Sequence, residues 1–433
     1  MIRIRTRRSA VTALLAVSLL TPTVAACAEA DGSSPPGQAS PSAPSAPSAA
    51  SEAALSLPRP SGSHEIGRDT LHLVDQKRRD PWVPSAGPRE LMVSVFYPAR
   101  PGAGGTDRDG GRAPYLAAEE AELLLKGLKL DQRIDAGQLT SVRTNARPAA
   151  RPAGGKHPLV VLSPGFTLHR ATLSTLAEEL ASHGYVVAVV DHAYESYGTE
   201  FPDTKDSSDS PDSPDSSRIR TCIACEKVEQ APGGDAGEKR MLAKAARTRA
   251  ADISYVIDAL TGRSRPAGGH HPDYAALVDT RRIGAAGHSL GGNAAAVATG
   301  TDRRIRAAAN LDGSFFAPVP AAGTGRPVLM LGTRKDHNPL ADDVTWPRQW
   351  RGLHGWKCWL TVADSGHLTF TDMPVLGAQL GMTDPEAPLS GERSGQITTA
   401  YVRAFFDKHL DDRHRPLLNG PSPANPEVAF HSP

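Results

Sequence analysis

Residues 287–291 read Gly287-His288-Ser289-Leu290-Gly291, between an apolar stretch at 282–286 and a run of small residues at 292–299. A Gly-x-Ser-x-Gly segment where a buried strand turns into a helix pushes its serine into a tight, exposed turn, and the glycines let strand and helix pass closely. The same five letters occur in ordinary Gly/Ser loops, so the flanks decide. Ile283-Gly284-Ala285-Ala286 suits a short buried strand, and Asn293-Ala294-Ala295-Ala296-Val297-Ala298 opens a helix well. Ser289 is therefore read as a nucleophile rather than a turn serine.

Around this junction, strands and helices alternate. Residues 91–97, 158–162, 185–190, 305–311, 327–331 and 357–362 are short apolar runs of strand type, several of them continuous, as in a parallel sheet covered on both faces. Residues 172–183 carry Leu173, Leu176, Ala177 and Leu180 at helical spacing before Gly184; 238–260 and 401–410 read as further helices. The pattern predicts an α/β fold, a doubly wound, mostly parallel sheet with helices on both faces and its site at the strand C-terminal ends. No second core is visible, so one catalytic domain is expected over 64–419, followed by a C-terminal tail at 420–433.

The N-terminal residues have a different character. Arg3, Arg5, Arg7 and Arg8 precede an apolar run at 10–20 that is too short to span a bilayer and has the layout of a secretory signal, giving a signal peptide over 1–26. Val24-Ala25-Ala26-Cys27 resembles a bacterial lipobox, in which Cys27 is lipidated; the alternative is ordinary cleavage nearby with Cys27 incidental. Residues 27–63, rich in Ser, Pro and Ala, read as an extended tether. The expectation is an exported protein, held on the outer face of the cell membrane through this anchor or secreted. With 48 Lys and Arg against 47 Asp and Glu, net charge is +1, and neither a basic field nor a nucleic-acid motif is present.

Two other features invite chemical readings. Asp203, Asp206, Asp209, Asp212 and Asp215 recur every third residue in 201–217, but without the glycine turn and closing glutamate of a calcium loop; a solvated acidic insertion is the plainer reading. Cys222-Ile223-Ala224-Cys225 lacks a second ligand pair for zinc, and in an exported protein a structural disulfide is preferred over redox chemistry; whether Cys358 joins either partner stays open.

A serine nucleophile needs a base, and the base an orienting carboxylate, in the chain order Ser, acid, His for this topology. His367, in the small-residue loop Asp364-Ser365-Gly366-His367 after the last apolar strand, is the candidate base. Asp312, at the end of 305–311, and Asp336, after 327–331, compete as the acid, and the residues alone leave the two nearly even. Oxyanion donors are expected from the Leu290 N–H and, after the strand at 158–162, from Phe166 N–H in Ser163-Pro164-Gly165-Phe166.

Asp80-Pro81, Arg89-Glu90-Leu91-Met92-Val93, Tyr97-Pro98-Ala99, Ser163-Pro164-Gly165, Ala181-Ser182-His183-Gly184-Tyr185, Asp191-His192, the elbow with Gly292, and Leu311-Asp312-Gly313 follow one another in the order found in a known family. On these residues the chain resembles bacterial α/β-hydrolases related to the plasma-type platelet-activating factor acetylhydrolases, from about Gly67 to Phe430. The resemblance implies an α/β-hydrolase fold, Asp312 rather than Asp336 as the acid, His367 as the base and Phe166 as an oxyanion donor. It further implies a serine esterase acting on lipid or small acyl esters, short-chain and acetyl phospholipids among them, through an acyl-enzyme and with no metal or organic cofactor. Polyester hydrolysis, a peptidase or amidase on the same scaffold, and a non-catalytic surface binding protein are the rival readings.

Overall fold

Strand alternation places the apolar side chains of the central strands on two faces at once. In β4 (His157–Ser163), Leu159 and Val161 join one buried cluster while Val160 and Leu162 join the other. In β5 (Val186–His192), Val186, Ala188 and Val190 face one way and Val187 and Val189 the other. A strand with both faces buried needs helices on both sides, because successive side chains point oppositely. Helices Gly234–Leu260 and Leu290–Thr301 contribute to the first cluster; helices Ser174–Ser182 and Gly391–Leu410 contribute to the second.

The computed structural model describes residues 54–102, 111–202, 217–264 and 272–433. The signal segment, Cys27, the tether up to residue 53 and the aspartates at 203–215 lie outside the described residues. Leu55–Pro433 forms a compact unit. Its ten-stranded sheet has the order β12-β11-β10-β9-β8-β4-β5-β2-β1-β3. Here β1 is Glu65–Arg79, β2 Pro88–Ala99, β3 Arg147–Pro148, β8 Val278–His288, β9 Ile305–Leu311, β10 Val328–Thr333, β11 Lys357–Val362 and β12 Val428–His431. From β5 through β4, β8, β9 and β10 to β11 every pairing is parallel, as is the short β1–β3 pairing; β2 is antiparallel to both β5 and β1, and β12 to β11. The doubly wound, mostly parallel sheet expected from the sequence is the one observed.

Two boundaries differ from the expected ones. Residues 55–63, assigned by composition to the tether, include the buried Leu55 and Leu57, which pack with Leu116, Leu139 and Leu376. Two leucines in a stretch of nine residues suffice to dock a segment that composition averages away. Residues 420–433, read as a tail, supply β12, with Val428 opposite Val362 and Phe430 opposite Leu360. The acidic insertion is flanked by a two-stranded ribbon, β6 (Gly198–Pro202) against β7 (Ser217–Thr221), with Pro202 opposite Ser217. Directly after it, Cys222 and Cys225 form a disulfide, and Cys358 is a free, buried thiol.

Candidate active site

The elbow is built where β8 meets helix Leu290–Thr301. Ser289 between them has φ 53° and ψ −124°, a left-handed conformation that costs an L-residue roughly 1–3 kcal/mol. Packing holds it there. A Cβ on Gly291 would lie 2.0 Å from the Ser163 carbonyl oxygen, so only glycine lets the helix start this close to the end of β4. The Ser289 N–H donates to Leu311 O at 2.7 Å, tying the elbow to the end of β9 and bringing the next residue, Asp312, alongside.

His367 begins a short helical turn after β11, and its side chain is 44 % exposed. Its Nδ1 donates to Asp312 Oδ2 at 2.6 Å, which leaves Nε2 as an acceptor for the Ser289 hydroxyl at 3.0 Å. Asp312 is buried, and its Oδ1 accepts from the Thr333 N–H at 2.7 Å and from His337 Nδ1 at 2.7 Å. Burial alone would favour its neutral acid form. The charge of His337, with hydrogen bonds from His337 and His367, outweighs burial and holds the carboxyl far below its ordinary range. Asp336 is placed elsewhere: it is exposed, and its carboxylate accepts from Thr333 Oγ1 at 3.2 Å. Of the two acids left open by the residues alone, Asp312 is the one joined to His367.

The histidine inside the elbow, His288, is buried. Its Nε2 donates to the His367 carbonyl at 2.7 Å, and the two rings lie 4.6 Å apart. Desolvation first, and the neighbouring His367 second, push its basicity down to about 3, so it is a neutral prop for the His367 loop. Among the described residues, neither Phe166 nor Leu290 donates its backbone N–H to a protein acceptor. These are the two donors expected to face an oxyanion. Phe166 is half-buried, with the Arg249 guanidinium 5.9 Å from the centre of its ring. Gly165 is required before it: a Cβ there would come 2.8 Å from His288 Nδ1.

Behind this loop lies a buried charged network that sequence reasoning missed. Arg89 reaches Asp80, Asp252 and Glu195 at 2.8–2.9 Å. Arg249 donates to Glu195 Oε2 at 2.7 Å and to Pro164 O at 2.6 Å. Ser163 Oγ, His192 Nε2 and Nδ1, and Asp252 Oδ2 are linked at 2.9 and 2.8 Å. This chain repeats the Ser, His, acid order, yet all three residues are at most 2 % exposed, sealed from solvent beneath the loop. Asp191 likewise serves structure, pairing with His169 and Arg170. Buried arginines scattered through a sequence leave no periodic signal; Asp80-Pro81 and Asp191-His192 were visible only as fragments of a resemblance.

His337 and its partner Asp343 were missed as well. His337 Nε2 lies 3.1 Å from Asp343 Oδ2, which also accepts from Ser314 Oγ at 2.7 Å. Burial would lower the basicity of His337, but Asp312 and then Asp343 override it and raise it to about 9. The letters Asp336-His337 directly after β10, at the active edge of the sheet, were the available signal.

Residues 49–415 match the family described as platelet-activating factor acetylhydrolase, isoform II. A protein of Arthroderma benhamiae named "probable 1-alkyl-2-acetylglycerophosphocholine esterase" is 27% identical over 409 residues, covering 87% of this chain and 94% of that one. The platelet-activating factor acetylhydrolase of Gallus gallus is 23% identical over 348 residues, 73% of this chain and 80% of its own. Among solved structures, a ferulic acid esterase from Streptomyces cinnamoneus superposes with a TM-score of 0.71 at 40% identity, covering 88% of this chain and 100% of that one. With a serine, a histidine and a carboxylate joined at the C-terminal edge of a doubly wound sheet, the chain belongs to the platelet-activating factor acetylhydrolase isoform II family and is a carboxylic-ester hydrolase of the α/β-hydrolase fold.

Proposed function

We propose that Ser289 is the nucleophile, His367 the general base and acid, and Asp312 the group that orients His367 and stabilises its charged form. The observation that carries this reading is the continuous hydrogen-bonded line from Ser289 Oγ through His367 to Asp312, at 3.0 and 2.6 Å. Ser289 Oγ attacks the ester carbonyl carbon as its proton passes to His367 Nε2. The tetrahedral oxyanion sits against the Phe166 and Leu290 N–H groups, a contribution of about 3 kcal/mol or more per donor. His367 returns the proton to the departing alcohol, leaving an acyl-enzyme. Water activated by the same histidine then releases the acid and restores Ser289.

The substrates we assign are small acyl esters, short-chain and acetyl phospholipids among them, supported by the family and by the names of the acetylhydrolase relatives. A second reading, an aromatic acyl ester of the ferulate type, is favoured by the 40% identity with a ferulic acid esterase over that protein's whole length. Parallel assays of p-nitrophenyl acetate, an acetyl phospholipid and methyl ferulate, with Ser289→Ala beside the parent, test both. Loss of all turnover and of fluorophosphonate labelling in Ser289→Ala is expected; retained turnover sinks the mechanism. The preferred ester identifies the substrate class. We also propose export and lipidation at Cys27, for which mass spectrometry of the mature N-terminus is the test: an unmodified N-terminus other than Cys27 refutes it.

A further inference from the structure

The Asp312 carboxylate serves two histidines, one on each oxygen: His367 on Oδ2 and His337 on Oδ1. His337 itself lies between two carboxylates, with Nδ1 2.7 Å from Asp312 Oδ1 and Nε2 3.1 Å from Asp343 Oδ2. A carboxylate only accepts, so both ring nitrogens carry hydrogen and the ring is an imidazolium. The surroundings hold it in that pose. The residue is 4 % exposed, its ring stacks on Trp346 at 4.2 Å, and Trp359 Nε1 donates to its carbonyl at 2.7 Å. Asp343 is fixed in turn by Ser314 Oγ and the Thr345 N–H, each at 2.7 Å.

The other charged or titratable groups nearby are engaged elsewhere. On its own turn, Lys335 pairs with Glu386 and Asp336 with Thr333, and Arg334 is exposed. From the elbow, His288 lies against His367; from β12, His431 lies 6.0 Å beyond Trp359. Asp312 and Asp343 are the charges in direct contact with His337.

We propose that His337 is a positioning residue for the ester hydrolysis: clamped between Asp312 and Asp343, it fixes the rotation of the Asp312 carboxylate and offsets part of its charge, so that His367 stays available as a base at lower pH. The inference rests on the Ser289–His367–Asp312 reading. A carboxylate alone would draw a proton onto His367, and a protonated His367 cannot accept the one from Ser289. A fixed positive charge on the far oxygen of the same carboxylate opposes that pull. Loss of this charge moves the acid limb of the pH–rate profile upward.

The test is kcat/KM for p-nitrophenyl acetate across the acid limb, with thermal melting of each protein. Asp343→Asn isolates charge from geometry. Its amide oxygen must stay on the Thr345 N–H, so its NH2 faces His337 Nε2 and donates to it. The ring then becomes neutral while Nδ1–H still holds Asp312. His337→Gln removes the ring altogether. Both variants are expected to raise the midpoint of the acid limb by about 0.5–1 pH unit, His337→Gln also losing several-fold in plateau kcat. A fall in plateau rate or melting temperature with the limb unmoved, or a downward shift, overturns the proposal. Ser289→Ala and Asp312→Asn are run alongside. If both are inactive and the limb stays put, His337 alone was misread; if either turns over normally, the triad reading falls and the proposal with it.

Discussion

Arg249 holds the carbonyl of Pro164 at 2.6 Å while its Nε grips Glu195 at 2.7 Å. The peptide that follows Pro164 is thereby pinned one residue ahead of Phe166, whose N–H is the proposed oxyanion donor. Catalytic electrostatics depend on donors that are already aimed, so the brace matters although it is buried away from the nucleophile. Arg249→Lys keeps the charge near Glu195 but loses the fork that reaches both acceptors. Its expected effect is a fall in kcat of about tenfold with KM nearly unchanged. Steady-state kinetics on a soluble ester check it, and an unchanged kcat would mean that the loop holds its shape unaided.

The two candidate acids should separate sharply. Asp312→Asn leaves the shape of the site but removes the acceptor that sets the His367 tautomer, and turnover is expected to drop by about 10³–10⁴. Asp336→Asn changes an exposed cap on Thr333 and should stay within about twofold. Purified variants assayed at one pH near neutrality suffice. A dead Asp336→Asn beside an active Asp312→Asn would reverse the assignment.

Stability should fall on the alkaline side. His337 is raised from an ordinary value of 6.5 to about 9, so the folded state binds its proton more tightly than the unfolded state. That contribution is complete below about 6.5 and disappears as pH climbs through about 9. Melting temperatures of the parent are expected to decline across this window, and those of His337→Gln to be flatter there. Parallel curves would show that His337 contributes no proton-linked stability.

The cysteines make contrasting predictions. Cys222 and Cys225 are three positions apart, so cross-linking them removes little chain entropy, about 2 kcal/mol at most. The double substitution to Ser should cost no more than that in denaturant unfolding. Cys358 is buried, and burial pushes its thiol up to about 12. Its peptide should remain unalkylated by iodoacetamide in the native protein and become labelled on unfolding; rapid native labelling would contradict that environment.

Much of this was legible in the residues, for local reasons. β9 and β11 are found at 305–311 and 357–362 as expected, because continuous apolar runs bounded by breakers have few alternatives to a buried parallel strand. Motif and chain order pointed to Ser289 and His367, which the structure brings within hydrogen-bonding distance of each other. The choice of Asp312 over Asp336 could not be made from residues alone, since both end loops at the same edge; it turned on which carboxylate the β9 end and the Thr333 N–H orient toward His367. The Arg89 and Arg249 network, and the second histidine on Asp312, join residues mostly far apart in the chain, as in Arg89 with Asp252, Arg249 with Glu195 and His337 with Asp312, with no shared period. Strand β1 escaped notice because charged residues such as Arg68, Asp69 and Asp75 interrupt its apolar pattern, and tertiary partners satisfy them: Arg68 meets Pro114, and Asp75 meets Arg78. β12 is only four residues long and draws its pairing from β11.

That last strand guards more than it stabilises. The backbone of β11 would otherwise present a row of unmatched donors and acceptors to solvent at the rim of the sheet, an invitation to pair with the same edge of another molecule. Four residues near the end of the chain occupy that template. A protein shortened to residue 419 would keep its whole site and still become sticky, growing into dimers and larger aggregates as its concentration rises.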